Sequence, residues 1–103
     1  MQLFQRRRWI QPDRVGEGLQ AFIHQLAWIN DQTGLEMAGW RRNDGDHPGA
    51  VLATTTYDHH AWFLTEVARL QTLADYGPVN DATLALTFGE DSFERWDCTA
   101  GVP

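Results

Sequence analysis

Over its first ten positions the chain alternates as a strand does, yet neither of the two faces so produced is wholly apolar. Successive side chains of a strand point to opposite sides. Over residues 3–10, Phe4, Arg6, Arg8 and Ile10 therefore share one face, while Leu3, Gln5, Arg7 and Trp9 share the other. Apolar bulk and guanidinium are mixed on both. That is the pattern of a central strand covered on each side, by helices on one and by a partner on the other, with at least one arginine directed into an enclosed polar pocket.

Pro12 and Asp13 then supply a helix start, proline suiting the entry and the aspartate able to cap it. Over 15–29 the residues Val15, Leu19, Phe22, Ile23, Leu26 and Ile29 recur at helical spacing and predict one buried stripe. Gly16 and Gly18 weaken the first turns, and Gly34 is the expected left-handed stop. His24 and Trp28 fall together on the opposite side, which is expected to be exposed and is a candidate contact surface for another protein. Residues 35–42 and 50–57 read as two strands joined by 43–49, a stretch made almost wholly of turn residues. Asp58 is placed to cap a second helix running to Tyr76, with Phe63, Val67, Leu70 and Ala74 inward and Gly77-Pro78 as its stop. An apolar run over 83–88 predicts a fourth strand. From Gly89 the chain is acidic, carries Phe93 and Trp96, and is expected to lie over a surface. The organisation is thus one domain over 1–89 and an acidic tail over 90–103.

Strand, helix, strand, strand, helix, strand is the ferredoxin-like βαββαβ order, an α+β fold with a four-stranded antiparallel sheet and both helices on one face. Right-handed crossovers put the first and third strands in the middle. The other face is then bare, and a second copy related by a two-fold axis is the simplest cover.

Composition and charge narrow the function. With 103 residues, 43% hydrophobic and 21% charged, the chain makes one ordinary globular domain. No apolar run approaches the roughly 20 residues needed to cross a bilayer. The early charges sit inside a strand-like segment with no signal-peptide apolar stretch behind them, so a cytoplasmic protein with no membrane partner is expected. A formal net charge of -6 argues against nucleic acid as a partner, because phosphate binding draws on a basic surface. Every basic residue is arginine, the usage of a GC-rich bacterial genome. The lone Cys98 admits no intrachain disulfide and argues against a thiol-ligated metal. The acidic turn with Asp44, Asp46 and His47 matches no calcium-loop spacing, so no metal is expected there.

The element order, the strand entering Pro12-Asp13 and the Thr54-Thr55-Thr56-Tyr57-Asp58 strand-to-helix junction resemble the dimeric α/β barrel superfamily over residues 3–88. The resemblance implies two such sheets closing face to face in a homodimer, with a pocket between each subunit's own sheet and helices. It also implies that Phe4, Arg6, Arg8 and Ile10 form the helix-facing side. Members include antibiotic-biosynthesis-type monooxygenases, heme-degrading monooxygenases, polyketide cyclases, small isomerases and proteins with no known activity. The heme-degrading members use an Asn in the first strand and a Trp and a His ten residues apart in the second helix. Anchored on the two junctions, those places fall at Arg6, Glu66 and Tyr76, none of which matches, so heme degradation is not implied. Oxygen-using members need no metal or cofactor, since an electron-rich phenol deprotonated in a dry pocket reacts with oxygen itself.

Glu66 is the first candidate for chemistry. Helical geometry sets it between Leu70 on one side and Leu73 with Trp62 on the other, and His59 lies two turns earlier on nearly the same side. A buried acid must be paired or protonated, and Arg6 and Arg8 are the available cations. One reading is a plain salt bridge holding helix to sheet. The other makes Glu66, with His59, a proton donor or acceptor beside Arg6, which fixes an anionic or enolate oxygen. Arg8, Trp62, Tyr57 and Tyr76 are the substrate-binding candidates. Trp9, Trp40 and Trp62 serve equally as packing, however, and both tyrosine hydroxyls can satisfy backbone groups.

The expectation is therefore a small homodimeric enzyme, a cofactor-independent monooxygenase or cyclase acting on an aromatic or polyketide-like metabolite. Two alternatives stay open: the same pocket holding a small hydrophobic anion against Arg6 or Arg8 without turnover, and a protein-interaction module.

Overall fold

The computed structural model describes residues 1–45, 47 and 49–101, and of Glu90 the backbone alone. Asp46 of the expected acidic turn, Pro48 beside it, and positions 102 and 103 of the expected tail lie outside the described residues. The elements run β1 (Gln2–Ile10), α1 (Val15–Gln32), β2 (Ala38–Arg41), β3 (Ala50–Tyr57), α2 (His60–Leu70), α3 (Tyr76–Leu84) and β4 (Thr87–Asp97). The strands pair antiparallel in the order β2-β3-β1-β4, which makes β1 and β3 central, as right-handed crossovers require. The fold is the expected ferredoxin-like α+β one with a third helix added. Within one chain the sheet is open, β2 and β4 being its edges.

The helices lie on the Phe4–Arg6–Arg8–Ile10 side. α1 approaches β1 closely because Gly18 has no side chain: a Cβ there would stand 2.2 Å from Cγ2 of Ile10, which is itself 2% exposed. Ile10, Phe22, Leu26, Val51 and Ala53 form one core cluster, and Leu35, Tyr57 and Phe63 form a second, with Phe4, Ile29 and Val67 packed against it. The buried face of α1 is rotated from the expected stripe. Gln25 is buried while Ile23 is 63% exposed, because the helix turns Gln25 toward Arg8 of the sheet. His24 is exposed, but Trp28, expected beside it at the surface, is half-buried.

Several boundaries fall elsewhere than the sequence predicts. The N-caps are Arg14 and His59 rather than Asp13 and Asp58, neither with a side-chain cap bond. α1 ends on an extended Thr33, whose hydroxyl donates to the Ile29 carbonyl at 2.8 Å, and Gly34 is not left-handed. β2 starts at Ala38 because Asn30 takes both backbone groups of Met37, accepting from its N–H at 2.7 Å and donating to its C=O at 3.1 Å. The single second helix is two helices: α2 stops at Leu70, and Gly77-Pro78 opens α3 instead of ending α2. First-turn N–H groups have no intrahelical acceptor, so the donor that proline lacks is not missed there.

The acidic stretch expected as a tail is, up to Asp97, strand β4. The strand predicted over 83–88 straddles the end of α3 and the start of β4, with Thr83 buried in the helix. Pairing with β1 runs from Gln2 opposite Asp97 to Arg7 opposite Ser92, then resumes at Trp9 opposite Phe88. A two-residue step along β1 is thus matched by a four-residue step along β4. The excess forms a bulge in which Gly89 takes φ +73°, a conformation that glycine adopts without steric cost.

Directly opposed residues project to the same face. On the sheet face away from the helices, Leu3, Trp9, Leu52, Trp40, Phe88 and Trp96 therefore stand together, with Arg7 and Gln5 among them. Trp40, Phe88 and Trp96 are 58%, 47% and 53% exposed. Among the described residues no helix is long and apolar enough to cross a membrane.

Candidate functional site

Between the sheet and its three helices lies a cavity of about 270 Å³. Phe4 and Ala53 of the sheet, Phe22 and Leu26 of α1, and Phe63 and Val67 of α2 give it apolar walls. Arg6, Arg8, Gln25, Tyr76 and Asn80 make its polar end.

Arg8 is the centre of that end. It is 3% exposed and donates from Nη1 to Gln25 Oε1 at 3.1 Å and from Nη2 to Asn80 Oδ1 at 3.5 Å. A guanidinium only donates, so the orientation of the Gln25 amide follows: oxygen toward Arg8, nitrogen toward Asn80 Oδ1 at 3.2 Å. Arg6, two residues along β1, donates to Asp91 Oδ2 at 2.5 Å and holds its guanidinium carbon 5.0 Å from the centre of the Phe93 ring. Asp91 Oδ1 is 3.3 Å from Arg8 Nε, an ion-pair distance without hydrogen-bond alignment. The buried Nε–H groups of both arginines consequently have no hydrogen-bond acceptor among the described residues. Burial, and next the neighbouring Arg6 charge, lower Arg8 from the ordinary arginine value to about 10, with Asp91 opposing both.

Asp91 owes its place to the bulge. The pairing of Arg7 with Ser92 brings Asp91 alongside Arg8, and the extra residues just before it absorb the mismatch with Phe88.

Arg6, Arg8 and Tyr76 line the cavity, whereas Glu66, His59, Trp62 and Tyr57 do not. Glu66 accepts from Arg69, one turn on, at 2.9 Å, and Arg69 also donates to the Gln32 carbonyl. The acid thus ties α2 to the end of α1 rather than to the sheet, because Arg69 at i+3 is within reach of its own helix face. The Arg69 hydrogen bond, against a smaller burial effect, holds the Glu66 carboxyl below its ordinary value. His59 is exposed at the start of α2, and Trp62 is 41% exposed and lies across Gly34. Tyr57 is buried behind Phe63, the rings stacked 4.4 Å apart, and burial raises its phenol. Its hydroxyl meets His60 Nδ1, while Arg95 of β4 donates to Nε2 of the same ring.

Gln25, Asn80, Asp91 and His60 are the polar residues that sequence reasoning did not single out. Gln25 carried a signal, a polar residue between Phe22 and Leu26 in an apolar stripe. Asp91 carried none, since its partner depends on a bulge. In the hairpin turn Arg42 donates to Asp44 at 2.9 Å, and among the described residues no three His, Cys, Asp or Glu side chains converge to hold a metal ion.

No protein-family model and no curated protein matches this chain. Solved structures do. An uncharacterized NIPSNAP domain protein from Burkholderia xenovorans superposes with a TM-score of 0.83 at 16% identity, covering 100% of this chain and 99% of that one. SnoaB, a cofactor-independent oxygenase from Streptomyces nogalater, gives 0.73 at 16% identity, covering 99% and 96%. An antibiotic biosynthesis monooxygenase gives 0.68 at 10% identity, covering 97% and 100%. At these identities the likeness is one of fold, and it extends over essentially the whole of this chain.

Proposed function

We propose that this chain works in the cytoplasm as a homodimer whose two sheets close face to face, and that each subunit's cavity binds an aromatic or polyketide-like metabolite for cofactor-independent monooxygenation or cyclisation. The observation that carries this reading is the cavity between sheet and helices, whose apolar walls end on two guanidiniums. Apolar walls exclude water from a bound phenol or enol, and Arg6 and Arg8 favour its anion, the electron-rich form that reacts with oxygen or attacks a carbonyl intramolecularly. Fold likeness to the oxygenase SnoaB supports the reaction class. Exposed Trp40, Phe88 and Trp96 on the bare sheet face support the dimer.

One observation favours a second reading, binding without turnover. Glu66 and His59 are outside the cavity, and the carboxylate at its polar end, Asp91, is already engaged by Arg6. Oxygen uptake with a hydroxyanthrone separates the two. One oxygen atom becomes the new ring ketone, and the other leaves as water with both methylene hydrogens, so no external reductant is needed. The enzyme reading expects uptake above the blank, falling by about tenfold or more in Arg6→Gln. Saturable binding with uptake no faster than the blank would overturn it in favour of a binding module.

A further inference from the structure

Among the described side chains, the polar end of the cavity holds more positive charge than carboxylate cancels. Arg6 and Arg8 contribute one positive charge each, and Asp91 is the carboxylate that contacts both, which leaves a sum of one positive charge among these three side chains. Arg8 is 3% exposed. An uncancelled charge at that depth is costly unless an anion completes it.

The hydrogen-bond inventory points the same way. Among the described residues the buried Nε–H groups of Arg6 and Arg8 have no hydrogen-bond acceptor, that of Arg8 having only the ion-pair contact with Asp91 Oδ1. Gln25 Oε1 and Asn80 Oδ1 both face Arg8, and Gln25 Nε2 is committed to Asn80. The Asn80 amide nitrogen is thereby turned away from Arg8, a further donor at the same end. What this end lacks among the described side chains is one further negative charge.

We propose that the site is built for a monoanionic aromatic ligand whose carboxylate or enolate is held at the Arg6–Arg8 end of the cavity, and that Asp91 is the residue that sets this charge preference. The proposal rests on the reading of the cavity as a ligand site. A neutral ring leaves the surplus positive charge of Arg6, Arg8 and Asp91 uncancelled, and a dianion overfills it. Asp91 is suited to the part. It pairs with Arg6 and Arg8 with its side chain 25% exposed, next to a bulge that lifts it off the regular ladder. Removing its charge would alter the balance without emptying the core.

Calorimetric titration of the full chain at pH 7.5 with three probes of one ring system tests this: 2-naphthoate, neutral 2-naphthalenemethanol and dianionic 2,3-naphthalenedicarboxylate. The unaltered protein is expected to prefer 2-naphthoate over either of the others by about tenfold. Asp91→Asn is expected to tighten the dianion by about tenfold or more while leaving the alcohol unchanged. Arg6→Gln, at a half-buried position that tolerates change better, is expected to erase the preference for 2-naphthoate. Native circular dichroism of each variant guards against misfolding. Equal binding of naphthoate and alcohol overturns the charge assignment while leaving the cavity reading intact, as does a natively folded Arg6→Gln that keeps the anion preference. Absence of binding by all three probes overturns both.

Discussion

The Tyr57 hydroxyl and the His60 imidazole meet at 3.1 Å, oxygen to Nδ1, and Arg95 decides which of them donates. Arginine has only donors, so the His60 nitrogen facing it, Nε2, must present a lone pair. The ring proton is then on Nδ1 and is given to the Tyr57 oxygen. This chain joins the end of β3, the start of α2 and strand β4. Long-range proton–nitrogen correlation spectra at neutral pH are expected to show His60 as its Nδ1–H tautomer, and to show a mixture in Arg95→Leu. An Nε2–H tautomer in the unaltered protein would contradict the assignment.

Gln25 is the test of how Arg8 is kept. Both are buried, and Gln25 Oε1 is the acceptor for Arg8 Nη1. Gln25→Leu strands a buried charged donor and is expected to cost about 2–3 kcal/mol in denaturant unfolding. Gln25→Glu supplies a charged acceptor instead and is expected to lose less. A Leu variant as stable as the parent would show that Arg8 does not depend on that amide.

The acid limb of stability reports on Glu66. Its folded pKa lies below the unfolded value because Arg69 stabilises the carboxylate, so the unfolded chain binds more protons as pH falls. The contribution is fully present above the unfolded value of 4.5 and is lost as pH drops through the lowered folded value. Glu66→Gln is therefore expected to have a shallower decline in melting temperature below that pH. Since Glu66 does not line the cavity, probe binding should be unchanged at neutral pH. A weakened probe affinity would return Glu66 to the site.

The bare sheet face gives the assembly prediction. Trp96 opposes Leu3 and Trp40 opposes Leu52, so both indoles belong to the apolar patch. Native mass spectrometry of the parent is expected to show twice the chain mass, and Trp96→Glu is expected to give the single mass with a native circular dichroism spectrum. A parent that stays monomeric at high micromolar concentration would rule out sheet-to-sheet closure.

Sequence pattern alone reached the architecture. The period-two mixture in residues 3–10 marked a strand, and the order of elements predicted β1 and β3 as the central pair. Those signals are local, a matter of which side chains one stretch of backbone sends to which side, and the chain carries them whatever it packs against. Arg6 and Arg8 stood out for the same reason: guanidinium on a face otherwise apolar needs a polar enclosure.

The partners of those arginines were decided only by tertiary structure. Glu66 had the right helical angle to face the sheet, yet Arg69 is three residues away and captures it at no cost in chain ordering. Asp91 lay in a stretch whose composition reads as tail, and it reaches Arg6 and Arg8 through a bulge that shifts the register of β4 by two residues. Gly77-Pro78 opens a helix because Leu70 has already ended the one before, and that new helix carries Asn80 into the site. A polar residue's partner is set by distances between segments far apart in sequence, and these depend on register, bulges and helix breaks. The alternation of apolar and polar positions can announce that Arg8 needs an acceptor, but only the packed chain brings Gln25, Asn80 and Asp91 to it.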